Sequence, residues 1–374
     1  MKIESLYLRR IIDSRTHETV EAEINGVKGK APAGASTGRH EVDASVPEHL
    51  AETEDILRGK LVGEEFTQQE FDRRLKEIDG TDDFSRLGAS SIAASFAFKN
   101  ASGFDHGNRF PLPLSNVIGG GEHGGNTSIQ EFLVLPVNAD SVYGAVQTNA
   151  RIYRELKQRY AKKIKGINDE GALITSMDDE KTLKALKKVA DEYDARIGLD
   201  IAASEFHEDG KYRLHSMNMV NDPDQQLEFV QKLIDEFELA YVEDPFHEDD
   251  FRYHAELTSK NPEVMICGDD LFVTQKERLQ EGIDNGACNS LIVKPNQVGT
   301  VTGAKETVEL AEENQYTPVV SHRSGETCDH TISDLALEWE APIIKAGIAD
   351  IRIAKLNRLI ELWDRAAAPE MNRP

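Results

Sequence analysis

The sequence predicts an α/β protein whose larger part is a barrel of eight strands. The leading observation is a unit that recurs from about residue 196: a short apolar run, one ionisable residue, a turn, then a helical stretch. The runs are 197–199 into Asp200, 239–242 into Glu243, 264–267 towards Asp269, 291–293 into Lys294, 318–320 towards His322, and 343–344 into Lys345. Their ionisable residues lie 43, 26, 25, 28 and 23 positions apart. Strand then helix at a period near 25 marks a βα repeat. A second observation is the count: these six units and two strand candidates upstream make eight, as in a TIM barrel. The third is position. Every repeat puts its ionisable residue at the C-terminal end of the strand, the end that a TIM barrel gathers into one mouth. An open doubly wound sheet is the alternative topology.

Taken in order, residues 5–10 and 18–24 read as strands, rich in Thr, Val and Ile, with a turn at Asn25-Gly26. Residues 48–59, 67–78 and 88–100 read as helices. The upstream barrel candidates are 115–118 or 131–135, and 165–167 before Asp169. Helical stretches at 224–237, 301–314 and 331–340 separate the later strands, and 366–374 reads as a frayed end.

Composition excludes several classes of function. The 374 residues carry 67 acidic and 43 basic side chains, a formal net charge of −24. That opposes general electrostatic binding to nucleic acid or to anionic membranes. No apolar run approaches the roughly 20 residues of a membrane helix, and the start lacks a signal peptide's basic and apolar segments, so a cytoplasmic protein is expected. Three cysteines without a C-x-x-C oppose a disulfide framework or structural zinc.

The strand ends suggest chemistry. Asp200, Glu243 and Asp269 form an acidic arc facing Lys294, His322 and Lys345. Three neighbouring carboxylates repel unless a cation sits among them, and hard oxygen ligands with room for water favour Mg²⁺. An anionic substrate would bridge metal and lysines. A lysine beside a metal ion and a second lysine is expected to have a lowered pKa and to act as a base, so proton abstraction alpha to a carboxylate is expected. Glu170 or Glu131 could supply the complementary acid. His322-Arg323-Ser324-Gly325 suits phosphate, with a planar fork, a hydroxyl and close backbone approach. The small-residue loop at 33–38 is either a linker or a lid that carries a serine into the site.

Other motifs fail on context. Residues 119–124 satisfy G-x-G-x-x-G, but the following segment, 128–136, reads as a strand rather than the helix that a dinucleotide site needs. No P-loop, H-E-x-x-H or G-x-S-x-G occurs.

These residues resemble a known family, enolase (phosphopyruvate hydratase), over nearly the whole chain. The similarity is carried by Gly34-Ala35-Ser36-Thr37-Gly38, Gln130-Glu131-Phe132, Asp169-Glu170-Gly171, Gly198-Leu199-Asp200, Glu243-Asp244-Pro245-Phe246 and Gly268-Asp269-Asp270-Leu271. The most specific segments are Lys294-Pro295-Asn296-Gln297-Val298-Gly299-Thr300 and Ser321-His322-Arg323-Ser324-Gly325-Glu326-Thr327. The resemblance implies an α+β capping domain over residues 1–110 and a modified barrel, opening ββαα, over 111–374. It implies a lyase that interconverts 2-phosphoglycerate and phosphoenolpyruvate plus water in glycolysis, the family's known Lys-and-Mg²⁺ chemistry. Asp200, Glu243 and Asp269 would bind a first Mg²⁺, and Ser36 would help bind a second that arrives with substrate. Lys294 would take the C2 proton, and Glu170, assisted by Glu131, would protonate the leaving hydroxyl, with His322 also catalytic. Arg323 and Ser324 would hold the phosphate and Lys345 the carboxylate, with Gln130 and His123 lining the pocket. A homodimer or larger homo-oligomer is implied, with neither nucleic acid nor membrane as partner. Departures include Thr16-His17-Glu18-Thr19 where G-N-P-T is usual, Ala172 and Ala346 at usual Gly and Thr positions, and shortening after Glu41 and between Lys345 and Arg352. A paralogue acting on another carboxylate, or a non-catalytic binding protein, are the alternative readings.

Overall fold

The computed structural model describes residues 1–34, 38–121 and 124–373. The N-terminal region is an antiparallel meander of β1 (Leu6–Ile12), β2 (Glu18–Ile24) and β3 (Val27–Lys30), followed by α1 (Leu50–Leu61), α2 (Gln68–Asp79) and α3 (Ala89–Ser102). The β2–β3 turn falls at Asn25-Gly26, with φ of 52° and 80°; residues that tolerate positive φ set such two-residue hairpins. The Ala- and Ser-rich α3 lies so close to the sheet that a Cβ on Gly29 would sit 2.2 Å from the Ala97 nitrogen.

The barrel contains β4 (Leu112–Gly119), β5 (Glu131–Leu135), α4 (Val142–Arg159), α5 (Asp179–Asp191) and β6 (Arg196–Asp200). Then come α6 (Pro223–Phe237), β7 (Tyr241–Glu243), α7 (Phe251–Lys260), β8 (Met265–Gly268), α8 (Lys276–Asn285) and β9 (Ser290–Val293). The circuit ends with α9 (Val301–Glu313), β10 (Thr317–Ser321), α10 (Thr331–Glu338), β11 (Ile343–Lys345) and α11 (Ile353–Arg365). Strands pair in chain order, and Ile343–Lys345 pairs with Leu112–Leu114 to close the ring. Closure excludes the open sheet. The modified barrel and the small sheet domain are therefore both present.

Two expectations are corrected. Residues 115–118 and 131–135 both belong to the wall, whereas 165–167 does not; it forms Ile164–Ile167, the outer strand of a hairpin with Leu173–Thr175 that hangs from β4. One strand is reversed: β5 runs antiparallel to β4 and β6, giving the ββαα opening. The C-terminal end is also tied down, because Glu370–Met371 pairs with Arg109–Phe110.

The barrel interior is filled by Leu112, Leu114, Leu133, Leu135, Tyr241, Cys267, Ile292, Val319 and Ile343. Side chains two apart on a strand share a face. Tyr241 therefore brings Glu243 inward, Ile343 brings Lys345, Leu133 brings Glu131 and Leu114 brings Asn116. The same parity that packs the core delivers the ionisable residues to its upper end.

The N-terminal region also caps a barrel helix. Asp72 of α2 accepts from the Thr302 amide (2.8 Å) and hydroxyl (2.6 Å), and the Ser95 hydroxyl of α3 accepts from the Val301 amide (2.9 Å). Two first-turn donors of α9 are thus satisfied from outside the barrel.

Candidate active site

The mouth holds a cavity lined by acids and bases from nine segments. On one side stands Lys345, only 3% exposed. Its Nζ lies 2.9 Å from Asp200 Oδ2, 2.7 Å from Glu243 Oε2 and 3.0 Å from Glu131 Oε2. One cation thus serves three carboxylates, and their pKa values show the imbalance. Burial, then the Asp200 carboxylate, pushes Glu243 up to about 8 despite Lys345. Burial raises Glu131 well above the usual range, with Lys345 opposing and Glu170, Asp200 and Glu243 adding to the rise. Among the described residues the buried Glu243 Oε1 has no hydrogen-bond partner, while Oε2 accepts from the Tyr241 hydroxyl at 2.7 Å.

Beside this arc, Lys294 pairs with Asp269 Oδ2, and Asp269 Oδ1 accepts from Gln297 Nε2 at 3.1 Å. A lowered lysine pKa is expected beside a metal ion; the protein's own groups alone pull the other way. Burial disfavours the Lys294 ammonium, and Arg323 and Lys345 do too, but Asp269 outweighs them and the pKa is raised. Burial likewise opposes the Asp269 charge, yet Lys294 holds that carboxyl below its ordinary value. Asp269 also clusters with Asp244 and Asp270; the Asp244 carboxylate accepts from the amides of Asp269 (3.0 Å) and Asp270 (2.8 Å).

A third group joins Glu131, Glu170 and His322, each offering a ligand atom within 4.8 Å of the others. Glu170 accepts from Asn116 Nδ2 at 3.2 Å, and its turn is held by Asn168 Oδ1 and by the Tyr153 hydroxyl on the Gly171 carbonyl. Burial, with Arg352, Lys345 and Lys355 nearby, depresses the His322 pKa well below the usual value, despite Glu170.

The fourth group is the Arg323 fork. It grips the Glu41 carboxylate through two contacts, 2.8 and 3.2 Å, with both side chains at most 5% exposed. A carboxylate held this way fills the kind of seat an anionic phosphate would take. Ser324 and Gln130 line the same cavity.

Known proteins resolve what this constellation belongs to. The family model for the enolase C-terminal TIM barrel domain matches residues 108–370, and that for the enolase N-terminal domain matches residues 3–110. Enolase of Natronomonas pharaonis is 45% identical over 395 aligned positions, covering 96% of this chain and 98% of its own.

The chain belongs to the enolase family.

Enolases of Methanosphaera stadtmanae (42% identity, 99% of this chain and 98% of its own) and Halobacterium salinarum (44%, 98% and 100%) are similarly alike. Membership makes the chain a phosphopyruvate hydratase, a carbon–oxygen lyase. The aligned lengths exceed the chain's 374 residues, so these enolases carry residues that it lacks.

The structure brings together Glu131, Glu170, Asp200, Glu243, Asp269, Lys294, His322, Arg323, Ser324, Lys345 and Gln130. Ser36 and His123 lie outside the described residues. Sequence reasoning missed Glu41, Asp244, Asp270, Gln297, Asn116 and Arg352. Asp244 and Asp270 directly follow selected acids, a signal that was available; Glu41 and Arg352 gave none. The divergent start keeps its contacts with the mouth: Ser14 Oγ accepts from the Glu326 amide (3.1 Å), and Arg15 pairs with Asp169 at 3.0 Å.

Proposed function

We propose that this enolase-family chain is a Mg²⁺-dependent enzyme that interconverts 2-phosphoglycerate and phosphoenolpyruvate plus water, with Lys294 removing the C2 proton. The observation that carries the reading is the pairing of a buried lysine, Lys345, and a half-buried one, Lys294, with opposite acid groups around one cavity that also holds the Arg323 fork. In it, Glu170 protonates the departing hydroxyl, with Glu131 and His322 beside it. Arg323 and Ser324 bind the phosphate, Lys345 the carboxylate, and Gln130 lines the pocket.

The residues suit a divalent cation. Glu243 keeps a buried oxygen without a partner among the described residues, and its carboxyl is pushed up to about 8, first by burial and then by Asp200. Such surplus negative charge is what a cation relieves. Asp200, Glu243 and Asp269 would hold a first Mg²⁺, and Ser36 would contribute to a second. When bound, Mg²⁺ supplies positive charge that neutralises these acids and stabilises the charge growing on the substrate carboxylate. Lys294, for its part, becomes a base only when the Asp269 charge that favours its ammonium is shared with another cation.

The same reading gives a cytoplasmic homodimer or larger homo-oligomer without a nucleic-acid partner, supported by the net charge of −24. No helix among the described residues is long and apolar enough to cross a membrane. Light scattering on the pure protein tests the assembly. Absorbance of phosphoenolpyruvate formed from 2-phosphoglycerate, with and without Mg²⁺, tests the reaction. Turnover is expected only with the metal and is expected to vanish in Lys294→Ala; full activity in that variant would reject the mechanism.

A further inference from the structure

Arg352 is the largest fully buried side chain among the described residues, at 0% exposure. It follows the shortened segment after Lys345, and every nitrogen of its guanidinium meets the mouth. Nε donates to His322 Nδ1 at 3.0 Å. One terminal nitrogen donates to the Asp169 carbonyl at 3.1 Å and also contacts Asp350. The other donates to the carbonyls of Arg323, at 3.2 Å, and of Ser324. A single group therefore ties the turn that bears Glu170 to the strand end that bears His322, Arg323 and Ser324.

Local packing is built for this. A Cβ on Gly347 would lie 2.9 Å from Arg352 Cδ and 3.0 Å from the Glu170 carbonyl oxygen. Gly171, at φ +81°, would meet Ala349 and Asp350 at 3.1 Å. The two turns touch through glycine backbones, and the guanidinium fills the space left between them.

Arginine is always protonated and only donates hydrogen bonds. The Arg352–His322 contact therefore requires an unprotonated Nδ1. In a neutral ring the proton must then sit on Nε2. Burial and the surrounding cations keep that ring neutral.

We propose that Arg352 is a positioning residue that fixes His322 as its Nε2–H tautomer and so presents a proton donor to the Glu131–Glu170 pair. Its effect on turnover rests on the reaction proposed above; the tautomer itself does not. The charge of Arg352 also discourages protonation of the ring, so His322 serves as a neutral donor rather than a cation.

The test is ¹⁵N-histidine NMR on the full-length protein, with the His322 signal assigned by its loss in His322→Asn. A neutral ring protonated on Nε2 with a bare Nδ1 is expected. Arg352→Met is expected to lose this single-tautomer signature. It is also expected to lower kcat about 10–100-fold while KM changes less than about threefold. Arg352→Lys keeps the charge without the planar fork and is expected to recover part of both. Protonation on Nδ1 in the wild type overturns the proposal, as does an unchanged tautomer in Arg352→Met. Should Arg352→Met fail to fold, the wild-type spectrum and Arg352→Lys decide. A wild-type protein that shows the Nε2–H form but never dehydrates 2-phosphoglycerate refutes the proposed reaction and leaves the positioning role standing.

Discussion

Two buried carboxylates in this chain live in opposite surroundings. Asp334, on α10, faces Arg358 at 2.6 Å, His106 at 3.1 Å and His330 at 3.2 Å. Burial alone would raise its pKa, but these partners drive it well below the ordinary value. Glu243 shares one lysine with Asp200 and Glu131, and its pKa rises to about 8, through burial and then Asp200. The first acid is fully partnered at a helix junction and serves stability. The second is under-neutralised at the barrel mouth, where the fold retains a repulsion that a cation can relieve. A buried acid with too few positive neighbours marks function more reliably than a buried acid as such.

The largest expected effect tests the under-neutralised side. Lys345→Met removes the cation common to three acids and should cost about 3–5 kcal/mol of stability, with turnover abolished. Urea unfolding with and without Mg²⁺ measures it, and the metal should recover part of the loss. A stability unchanged from the wild type would contradict the three-acid arrangement.

A buried histidine extends the contrast to pH. His254 is fully buried, its Nε2 has no partner among the described residues, and burial lowers its pKa to about 4. The unfolded chain takes up that proton near pH 6.5 and the folded chain only near 4. Stability from this group is therefore intact above about 6.5 and is lost as pH falls towards 4. The loss approaches roughly 3 kcal/mol. Unfolding free energies at pH 7 and 5 should differ less in His254→Phe than in the wild type; an equal difference would assign the slope to other groups.

On the balanced side, Asp334→Asn should cost about 1–3 kcal/mol by leaving Arg358 with Glu361 as its one remaining charge partner among the described residues. Turnover per folded molecule should not change. Because the Asp334 pKa is depressed, its contribution is present above about pH 3.9 and is lost as pH falls further. Acid unfolding should thus be less steep in the variant.

The smallest effect is a gain. Glu243→Gln keeps the shape and removes one repelling charge, so the protein without Mg²⁺ should gain about 1 kcal/mol, seen as a Tm higher by a few degrees. Calorimetry should show Mg²⁺ binding weakened at least about tenfold. A loss of stability together with unchanged Mg²⁺ affinity would remove Glu243 from the metal site.

Much of this was readable in the residues because strand parity is local. Asp200, Glu243, Lys294 and Lys345 each end an apolar run, and the run dictates which way they face. Residues 165–167 misled because an edge strand of a small hairpin has the same local pattern as a barrel strand, and pairing partners are not encoded locally. Spacing hid the reversal of β5 for the same reason, and the family resemblance alone implied it. Glu41 and Arg352 meet their partners across 282 and 30 residues of chain, and no spacing rule reaches that far. How the protein's own charges balance on Lys294 turns on which of them stands nearest, a matter of ångströms that sequence order cannot supply.

The cap that α9 receives from Asp72 and Ser95 bears on how the molecule comes apart. A barrel helix that borrows its first hydrogen-bond acceptors from a neighbouring unit loses them whenever that unit melts. Heating should then show one shared transition, and a barrel expressed alone would begin life with that helix frayed.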